Sequence, residues 1–313
     1  MTRFLLRRVV FSIASVIVAT VVLFGLSHMS TDPRNLFVPQ GGGFGITQEQ
    51  WDELGRRMGF DKPFIVQYGV WLGNMLTGDW GTSLIGQRPV ISVMAGKWGA
   101  TLQLALGGLT VALLFGPAIG VIAAVKRGGL LDYIARTIAL FGQAIPSFWL
   151  GIMLIVFFAS FLGILPAGGR PDHFSIKNYI LPSFTLGWPA MAVLVRLTRS
   201  AMLEVLDSEY IKFARAKGVN EWKVIWKHAF KNAMIIPLTS VFLVLGFFIT
   251  GSFVTEIVFS WPGMGYAVLY KAVFANDFPL LMGAVVFYVL IYVGLAFTAD
   301  MLYAYIDPRI RYS

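Results

Sequence analysis

Twenty-eight residues without Asp, Glu, Lys or Arg stand together in Trp98-Gly-Ala-Thr-Leu-Gln-Leu-Ala-Leu-Gly-Gly-Leu-Thr-Val-Ala-Leu-Leu-Phe-Gly-Pro-Ala-Ile-Gly-Val-Ile-Ala-Ala-Val125. A helix of about 20 residues crosses the ~30 Å hydrocarbon core of a bilayer. One charged side chain at its centre costs about 2.5–3.5 kcal/mol. Five other charge-free windows surround this one: Val9–Thr31, Thr137–Gly169, Asn178–Val195, Asn232–Thr255 and Phe278–Ala299. The sequence therefore predicts an all-α, polytopic membrane protein with six transmembrane helices. Five prolines in or near the windows predict kinks or helix starts: Pro117, Pro146, Pro182, Pro189 and Pro237.

The composition of the whole chain agrees with a membrane protein. Of 313 residues, 57% are hydrophobic and 13% charged, whereas a soluble domain has about half and a quarter. The chain has no Cys, which excludes a disulfide framework, a thiolate metal site and a Cys nucleophile. The three histidines, His28, His173 and His228, have no metal-ligand spacing, so no metal site is predicted.

The distribution of basic residues predicts the orientation of the spans. Sixteen Lys and Arg lie on the side that holds both termini and the loops 126–136 and 196–231, and nine lie on the other side. Because Lys and Arg concentrate in cytoplasmic loops, both termini are expected in the cytoplasm. The net charge of +9 then belongs to a cytoplasmic face set against anionic lipid and partner proteins, not to a nucleic-acid site. The basic start before the first window also suits a signal peptide, but a retained first helix is favoured because no cleavage site follows.

Residues 32–97 are predicted to be an extracytoplasmic, amphipathic segment. Thr47 and Gln50 make a capping box for one helix, Ile46 can pack on Trp51 as a hydrophobic staple, and Gly59 can end the helix. Pro63 opens a second helix, whose apolar residues recur every three to four positions: Phe64, Ile65, Tyr68, Trp71, Leu72, Met75 and Leu76. A scaffold on the membrane surface is the favoured interpretation, and a docking platform for an external partner is the alternative.

Residues 207–232 are predicted to form two short cytoplasmic helices between two spans. Ser208 can cap the first, Gly218 can end it, and Asn220 can cap the second. The second helix carries a basic row and an apolar stripe: Lys223, Lys227 and Lys231, beside Trp222, Ile225, Trp226 and Ala229. The residues alone fit two interpretations equally well. The segment is either a rigid projection that a soluble partner binds or an amphipathic helix that lies on anionic lipid headgroups.

Several motifs give the chain a resemblance to a known family. Glu209-Tyr-Ile-Lys-Phe-Ala-Arg-Ala-Lys-Gly218 and His228-Ala-Phe-Lys-Asn-Ala233 resemble the coupling loop of binding-protein-dependent ABC importer permeases. More narrowly, they resemble the first permease (B-type) of the dipeptide/oligopeptide/nickel family. The resemblance runs through nearly the whole chain and includes these fragments: Gly78-Asp-Trp-Gly-Thr-Ser83, Ile145-Pro-Ser-Phe-Trp-Leu-Gly151, Leu165-Pro166, Ile180-Leu-Pro-Ser-Phe-Thr-Leu186, Glu256-Ile-Val-Phe-Ser-Trp-Pro-Gly-Met-Gly265 and Tyr305-Ile-Asp-Pro-Arg-Ile-Arg-Tyr312. The general importer motif, Glu-Ala-Ala, three residues and Gly, matches only at Ala214 and Gly218, so no role for its Glu is carried over.

This resemblance implies a type I ABC importer permease (MetI-like) fold in a bacterial or archaeal cell membrane. The charge-free windows divide the chain into residues 1–31, with the cytoplasmic start and the first span, the extracytoplasmic segment 32–97 and a permease core at 98–313. The resemblance implies a heterodimer with a second homologous permease, two cytoplasmic ATPases that bind ATP and Mg, and an extracytoplasmic substrate-binding protein. The residues implied in ATPase coupling are Tyr210, Ala214, Arg215, Ala216, Lys217, Gly218, Trp222, Trp226 and His228.

The chain has no nucleotide site of its own, since the pair Gly96-Lys97 has Ile91 where the first Gly of a P-loop should stand. The chain is therefore expected to be a transporter subunit and not an enzyme. Two polar residues in the spans, Gln103 and Gln143, are candidates for the translocation path, although they can instead pair across helices. A third candidate is Glu256, beside Trp261-Pro-Gly263 in a turn expected at the external mouth. Arg196, Arg199 and Asp300 lie near helix ends, where the arginines can extend to the surface instead.

The resemblance implies di- and oligopeptides as the expected substrate. Nickel chelates, glutathione and oligosaccharides are alternatives within the family. A gradient-driven secondary transporter or channel is the competing class, but it would carry buried acids and inverted repeats. An intramembrane enzyme is disfavoured, because no nucleophile–base set or pair of carboxylates converges on a span.

Overall fold

The computed structural model describes residues 2–28, 34, 47–171 and 175–306. Within these ranges the backbone is helical apart from turns and one isolated antiparallel bridge between Thr82 and Pro89. The helices, in chain order, are α1 (Thr2–Ser27), α2 (Gln48–Met58), α3 (Phe64–Leu76), α4 (Val90–Val125), α5 (Leu130–Ala144), α6 (Ser147–Leu154), α7 (Ile176–Leu206), α8 (Glu209–Ala216), α9 (Glu221–Lys223), α10 (Lys231–Ala233), α11 (Ile235–Val258), α12 (Lys271–Phe274) and α13 (Phe278–Ile306). Three π-helical stretches, Ile155–Phe161, Val224–Phe230 and Gly265–Tyr270, extend these helices.

The predicted membrane spans are found as apolar helices. Among the described residues, four helices are long and apolar enough to cross a bilayer: Leu5–Leu26, Val90–Val125, Ile176–Leu206 and Phe278–Met301. They contain or overlap the first, second, fourth and sixth charge-free windows. The fifth window lies in α11, where Leu243–Val258 forms a shorter apolar helix. The all-α, polytopic fold class is confirmed.

The third window, Thr137–Gly169, was expected to hold one span, and in the structure it is divided between two helices. Here α5 and the helix Ser147–Phe161 meet at 107°. Pro146 causes the break, because its ring disfavours a helical conformation at the preceding residue. Ile145 is accordingly extended, with φ −81° and ψ 122°. Pro146 is then the N-cap of α6, a helix start as predicted, whereas Pro117, Pro182 and Pro189 lie inside helices.

The chain folds into two compact units. One comprises Met1–Thr101 and Pro262–Gly294, and the other comprises Leu102–Trp261 and Leu295–Ser313.

In the first unit, α3 packs on the C-terminal half of α1. The ring of Phe24 lies 5.5 Å from Phe64, 5.7 Å from Tyr68 and 5.2 Å from Trp71. The hydroxyls of Thr20 and Tyr68 are 3.0 Å apart. The apolar face predicted for α3 therefore covers a helix of the same chain, although Ile65 and Leu76 on that face stay exposed.

The predicted ends of α2 are also confirmed. Thr47 and Gln50 form the capping box, and Gly59 ends the helix in a left-handed conformation with φ 72°. Pro63 is the N-cap of α3, and Thr77 follows its last residue. Ile46, the residue predicted to staple onto Trp51, lies outside the described residues.

The motif Gly78–Ser83 is tied to the start of α13 by a buried carboxylate. Asp277 is fully buried. It accepts hydrogen bonds from the Ser83 hydroxyl and from the backbone N–H of Ile85 at 3.1 Å. Its other oxygen accepts from the N–H of Leu280 at 3.2 Å, which caps α13. The hydrogen bonds make a buried carboxylate tolerable and account for the motif structurally.

In the second unit, α4 and α7 approach at backbone distance. A Cβ built on Gly116 would lie 2.7 Å from the Cβ of Leu194. One built on Gly120 would lie 2.8 Å from the carbonyl oxygen of Val195. These glycines continue a four-residue spacing of small residues along α4: Gly108, Ala112, Gly116, Gly120 and Ala124. Small residues allow close packing of membrane helices, where dispersion and weak polar contacts replace the hydrophobic effect.

Candidate functional site

The segment 207–232 folds as a helical hairpin. The predicted first helix is α8, and Gly218 follows its end with φ 75°. The N–H of Gly218 donates to the carbonyl of Arg215 at 2.9 Å, and that of Val219 to Ala214 at 3.3 Å. A left-handed glycine with these bonds satisfies the last carbonyls of the helix and reverses the chain.

Ser208 occupies the N-cap position of α8 but does not cap it with its side chain. Its hydroxyl donates instead to the carbonyl of Val205 in the last turn of α7. The two helices follow each other so closely that this carbonyl, which also accepts from the backbone N–H of Ser208 at 3.1 Å, lies within reach of the hydroxyl. The predicted side-chain cap at Ser208 is therefore wrong, whereas the one at Asn220 is confirmed: its oxygen accepts from the N–H of Trp222 at 2.9 Å.

The predicted apolar stripe of the second helix divides between two environments. Ala229 is fully buried, whereas the side chains of Trp222 and Trp226 are 67% and 37% exposed. The indole rings of the two tryptophans are 5.4 Å apart, and Phe230 lies 5.1 Å beyond Trp226. The structure thus presents an outward aromatic patch, which we define as Trp222 and Trp226, whereas Phe230 packs against the buried residues beneath the hairpin.

Polar contacts close the hairpin on both sides of Gly218. The guanidinium of Arg215 donates to both carboxylate oxygens of Glu221, at 2.7 and 3.2 Å. This ion pair holds the pKa of the Glu221 carboxyl below its ordinary value. At the open end, the Tyr210 hydroxyl accepts from the Asn232 amide at 3.1 Å and donates to the His228 carbonyl at 3.4 Å. Lys217 lies 4.5 Å above the ring of Phe213. Arg215, Ala216 and Lys217 are exposed, and Ala214 is half-buried.

The hairpin has a buried base that the sequence analysis missed. Ile211 and Val224 are fully buried and pack with residues of α4, α7, α10 and the π-helical stretch: Val121, Ala124, Ala201, Met202, Ala229 and Ala233. Burial of each aliphatic side chain contributes about 2 kcal/mol. Ile211 is the one large aliphatic residue of α8, which is the signal that could have identified it.

A second missed feature is an ion pair between α5 and α7. Asp132, which the sequence places in a basic cytoplasmic loop, is only 1% exposed. Its oxygens accept from Arg199 Nε at 2.7 Å and Nη2 at 2.9 Å, and from the N–H of Gly128 at 3.0 Å. Arg136 is 3.5 Å away. Arg199 is therefore bound within the protein and does not extend alone to the membrane surface.

The predicted path residues lie in different surroundings. Gln103 is exposed, and its carbonyl accepts from Arg170 Nε at 3.0 Å and from the Tyr179 hydroxyl at 3.1 Å. Gln143 is exposed, and its amide donates within its own helix, to the carbonyl of Ala139 at 3.1 Å. Glu256 is fully buried near the end of α11 and accepts from the Ser252 hydroxyl at 3.0 Å.

Comparison with known proteins decides the family. Residues 116–312 match the family model described as the binding-protein-dependent transport system inner membrane component. Residues 1–105 match the model for the N-terminal part of such membrane components. The chain belongs to this family of transport permeases. It is similar to the dipeptide transport system permease protein DppB of Alkalihalophilus pseudofirmus, with 35% identity over 100% of both chains. It is similar to the glutathione transport system permease protein GsiC of Escherichia coli K12 and of Salmonella typhimurium, with 37% identity over 100% of each chain.

A solved structure agrees on the fold. The inward-facing MetNI methionine ABC transporter in its CY5 native crystal form matches with a TM-score of 0.58 and 17% identity, over 69% of this permease and 97% of that chain. The permease is thus a subunit of an ABC importer of the peptide/oligopeptide family, with the MetI-like fold, in the inner membrane of bacteria. The importer's ATPase is a separate subunit, and an ATPase and a binding protein are its partners.

Proposed function

We propose that this permease forms half of a pathway for di- and oligopeptides, and that residues 207–232 couple it to a cytoplasmic ATPase. The observation that carries the proposal is the outward aromatic patch on a rigid hairpin. Trp222 and Trp226 are exposed in this chain, while Ile211 and Val224 bury the opposite side of the hairpin. Clustered tryptophans on a surface are typical of the energetic centre of a protein interface.

The hairpin is well suited to transmit force. Its two arms are joined at the turn by Arg215 and Glu221 and at the base by Tyr210 and Asn232. Its buried side is continuous with α7 through Ala201 and Met202. A movement imposed on the aromatic patch would therefore reach α7 without being lost in a flexible loop.

The substrate class is inferred from relatives. The similar permeases named above serve a dipeptide system and a glutathione system. Both names describe short peptides, so we propose di- and oligopeptides as the cargo here, delivered by the binding protein. We further propose a second, homologous permease as the other half of the pathway. The heterodimer is tested by giving the two permeases different tags and purifying the complex through one tag. A heterodimer should contain one copy of each permease.

Replacing the two tryptophans tests the coupling proposal. The complex with both ATPases and the second permease is reconstituted in vesicles, and ATP-dependent uptake of a labelled dipeptide is compared with ATP hydrolysis. Trp222→Ala and Trp226→Ala should each weaken association with the ATPase at least about tenfold, because interface tryptophans are frequent hot spots. Uptake should fall with it.

Trp149→Ala is the matched control, since it removes a tryptophan of similar exposure, 47%, from α6. It should leave ATPase association unchanged. If both hairpin variants bind the ATPase and transport like the unaltered complex, the hairpin is not the coupling element. If the unaltered complex moves peptide without ATP, the gradient-driven alternative replaces the importer.

The absence of Cys from the chain makes its topology directly testable. We propose that both termini and the hairpin are cytoplasmic and that segment 32–97 is extracytoplasmic. Ala216→Cys and Asp61→Cys place single thiols at exposed positions of the two regions. A membrane-impermeant maleimide added to intact cells should label position 61 and spare position 216. The reverse pattern would overturn the proposed orientation.

Gln103, Gln143 and Glu256 remain proposed path residues. Glu256 is the most constrained of the three, since it is buried and its backbone carbonyl accepts from the N–H of Trp261 at 2.8 Å. Glu256→Gln keeps the shape and removes the charge. Uptake that is unchanged in this variant would remove Glu256 from the path.

A further inference from the structure

Arg170 is exposed at the surface, and hydrogen bonds tie both its side chain and the preceding residue to the rest of the chain. Its Nε donates to Gln103 at 3.0 Å. The preceding residue, Gly169, donates its N–H to the carbonyl of Phe259 at 2.7 Å and accepts from the amide of Asn178 at 3.2 Å. A free surface arginine keeps many rotamers and loses substantial entropy when it is fixed. The hydrogen bond to Gln103 and those of Gly169 therefore restrict the positions that the guanidinium of Arg170 can take.

The loop that carries Arg170 cannot move away from α11 without losing a close contact. A Cβ on Gly168 would lie 2.3 Å from the carbonyl oxygen of Phe259, so only glycine fits there. On the other side of the cluster, the ring of Tyr179 packs edge-on against Trp261, with centroids 4.8 Å apart. Trp261 is fully buried. An exposed polar cluster on such a fixed frame is preorganised for a ligand.

The chemistry of the cluster is that of an anion site. The side-chain oxygen of Gln103 already accepts from both Arg170 and Tyr179. The part of Gln103 that is left for a ligand is therefore its NH2 group, which is a hydrogen-bond donor. Within the described residues, no hydrogen bond engages this nitrogen or the two terminal nitrogens of Arg170. With Nε occupied, the edge formed by the two terminal nitrogens is the one left for a ligand. This edge matches a carboxylate in a two-bond geometry.

We propose that Arg170 and Gln103 bind the C-terminal carboxylate of the peptide as it enters the permease. This inference rests on the proposed peptide-import function and assigns a specificity-determining contact to it. A free peptide ends in a carboxylate that is ionised at neutral pH. In the proposed topology, Arg170 lies on the extracytoplasmic side, where the binding protein releases its cargo. Tyr179 is a positioning residue, since its hydroxyl orients Gln103.

A comparison of peptide acids with peptide amides tests the site. Uptake by the reconstituted complex is measured for one labelled peptide as the free acid and as its C-terminal amide. The ratio of the two half-saturating concentrations cancels the preference of the binding protein, which is the same in every variant. Arg170→Ala should raise the half-saturating concentration of the acid about tenfold, as expected for a charge-assisted hydrogen bond. The value for the amide should be unchanged.

Two further variants separate recognition from folding. Arg170→Lys keeps the charge but loses the two-bond edge, so its acid preference should lie between those of the unaltered complex and Arg170→Ala. Lys177→Ala is the matched control, because it removes an exposed positive charge in the first turn of α7. It should leave the acid-to-amide ratio unchanged. ATP hydrolysis in each variant reports that the complex is assembled.

The outcomes are distinct. Loss of acid preference in Arg170→Ala with uptake of the amide retained supports the site. An equal loss for acid and amide, or no loss for either, overturns it while leaving peptide import intact. If the unaltered complex takes up neither peptide, the proposed function fails, and the carboxylate site fails with it.

Discussion

Asp132 and Arg199 form a two-bond ion pair, with Nε 2.7 Å from Oδ1 and Nη2 2.9 Å from Oδ2. It joins the first turn of α5 to α7, seven residues before α7 ends at Leu206. The hairpin of residues 207–232 begins directly after that end. The ion pair thus stands between the broken span α5–α6 and the segment proposed to contact the ATPase.

Removing one partner of this ion pair should destabilise the permease strongly. Asp132→Asn leaves Arg199 partly buried without its counter-charge. Removing one partner of a buried ion pair lowers the free energy of unfolding by about 3–5 kcal/mol. The double variant Asp132→Leu/Arg199→Met should recover most of that loss, since a well-packed apolar pair replaces the ions. Thermal unfolding of the purified permease in detergent measures both effects.

The exposed pair of Arg127 and Asp207 is the control for that measurement. Its side chains are 64% and 72% exposed, so Asp207→Asn should change stability by less than about 1 kcal/mol. Equal effects of Asp132→Asn and Asp207→Asn would show that the α5–α7 pair is solvated in the membrane protein.

The close contact of α4 with α7 should not tolerate a single methyl group. In Gly120→Ala the added Cβ would meet Thr198 at 2.7 Å and the Val195 carbonyl at 2.8 Å. Overpacking of this kind costs about 1–3 kcal/mol. Gly96→Ala on the same helix is the control, because no atom lies within 4 Å of its added Cβ. It should be neutral or stabilise by up to about 1 kcal/mol through helix propensity, and equal destabilisation by both variants would contradict the contact.

The turn of the hairpin should need the conformation that Gly218 adopts. Gly218→Pro is incompatible with φ 75° and removes the N–H that donates to Arg215. Ala214→Glu places a charge in a half-buried position against the base of the hairpin. Both variants should uncouple ATP hydrolysis from uptake and so lower transport per ATP. Gly218→Asn, which tolerates the left-handed region, should remain coupled, and normal coupling in the Pro and Glu variants would refute the role of the turn.

The hairpin should become less stable in acid, because protonation of Glu221 breaks the ion pair at the turn. Because Arg215 lowers the pKa of Glu221 in the folded state, the pair stabilises the hairpin above the ordinary pKa of Glu221. That contribution is lost as the pH falls through the lowered pKa of the folded carboxyl. The effect is less than about 1 kcal/mol because both side chains are exposed. Hydrogen exchange of residues 209–233 should show this acid loss, and Glu221→Gln should abolish it; identical profiles for the two proteins would exclude a role for the pair.

Local chemistry along the chain was enough to predict the spans, several helix ends and the family. Long charge-free windows, the Thr47–Gln50 capping box and the glycines at 59 and 218 can be recognised without knowing what packs on them. Gly218 and Asn220 predicted the end of the first helix and the start of the second in segment 207–232 for the same reason. Pro146 correctly marked a helix start, but the 107° bend between two parts of one apolar window depends on what each part packs against.

Contacts between distant residues became known only from the folded chain. Asp132 and Arg199 are 67 positions apart, and Gln103 is 67 positions from Arg170. The burial of Ile211 and the outward position of Trp222 also follow from packing on α4 and α7. Periodicity identifies an apolar face of a helix but not the surface that covers it. In this permease the packing of α4 and α7 buries the base of the hairpin and leaves its aromatic patch exposed. Which apolar residues are buried depends on the elements that pack against them, so it could not be predicted from the residues of the hairpin alone.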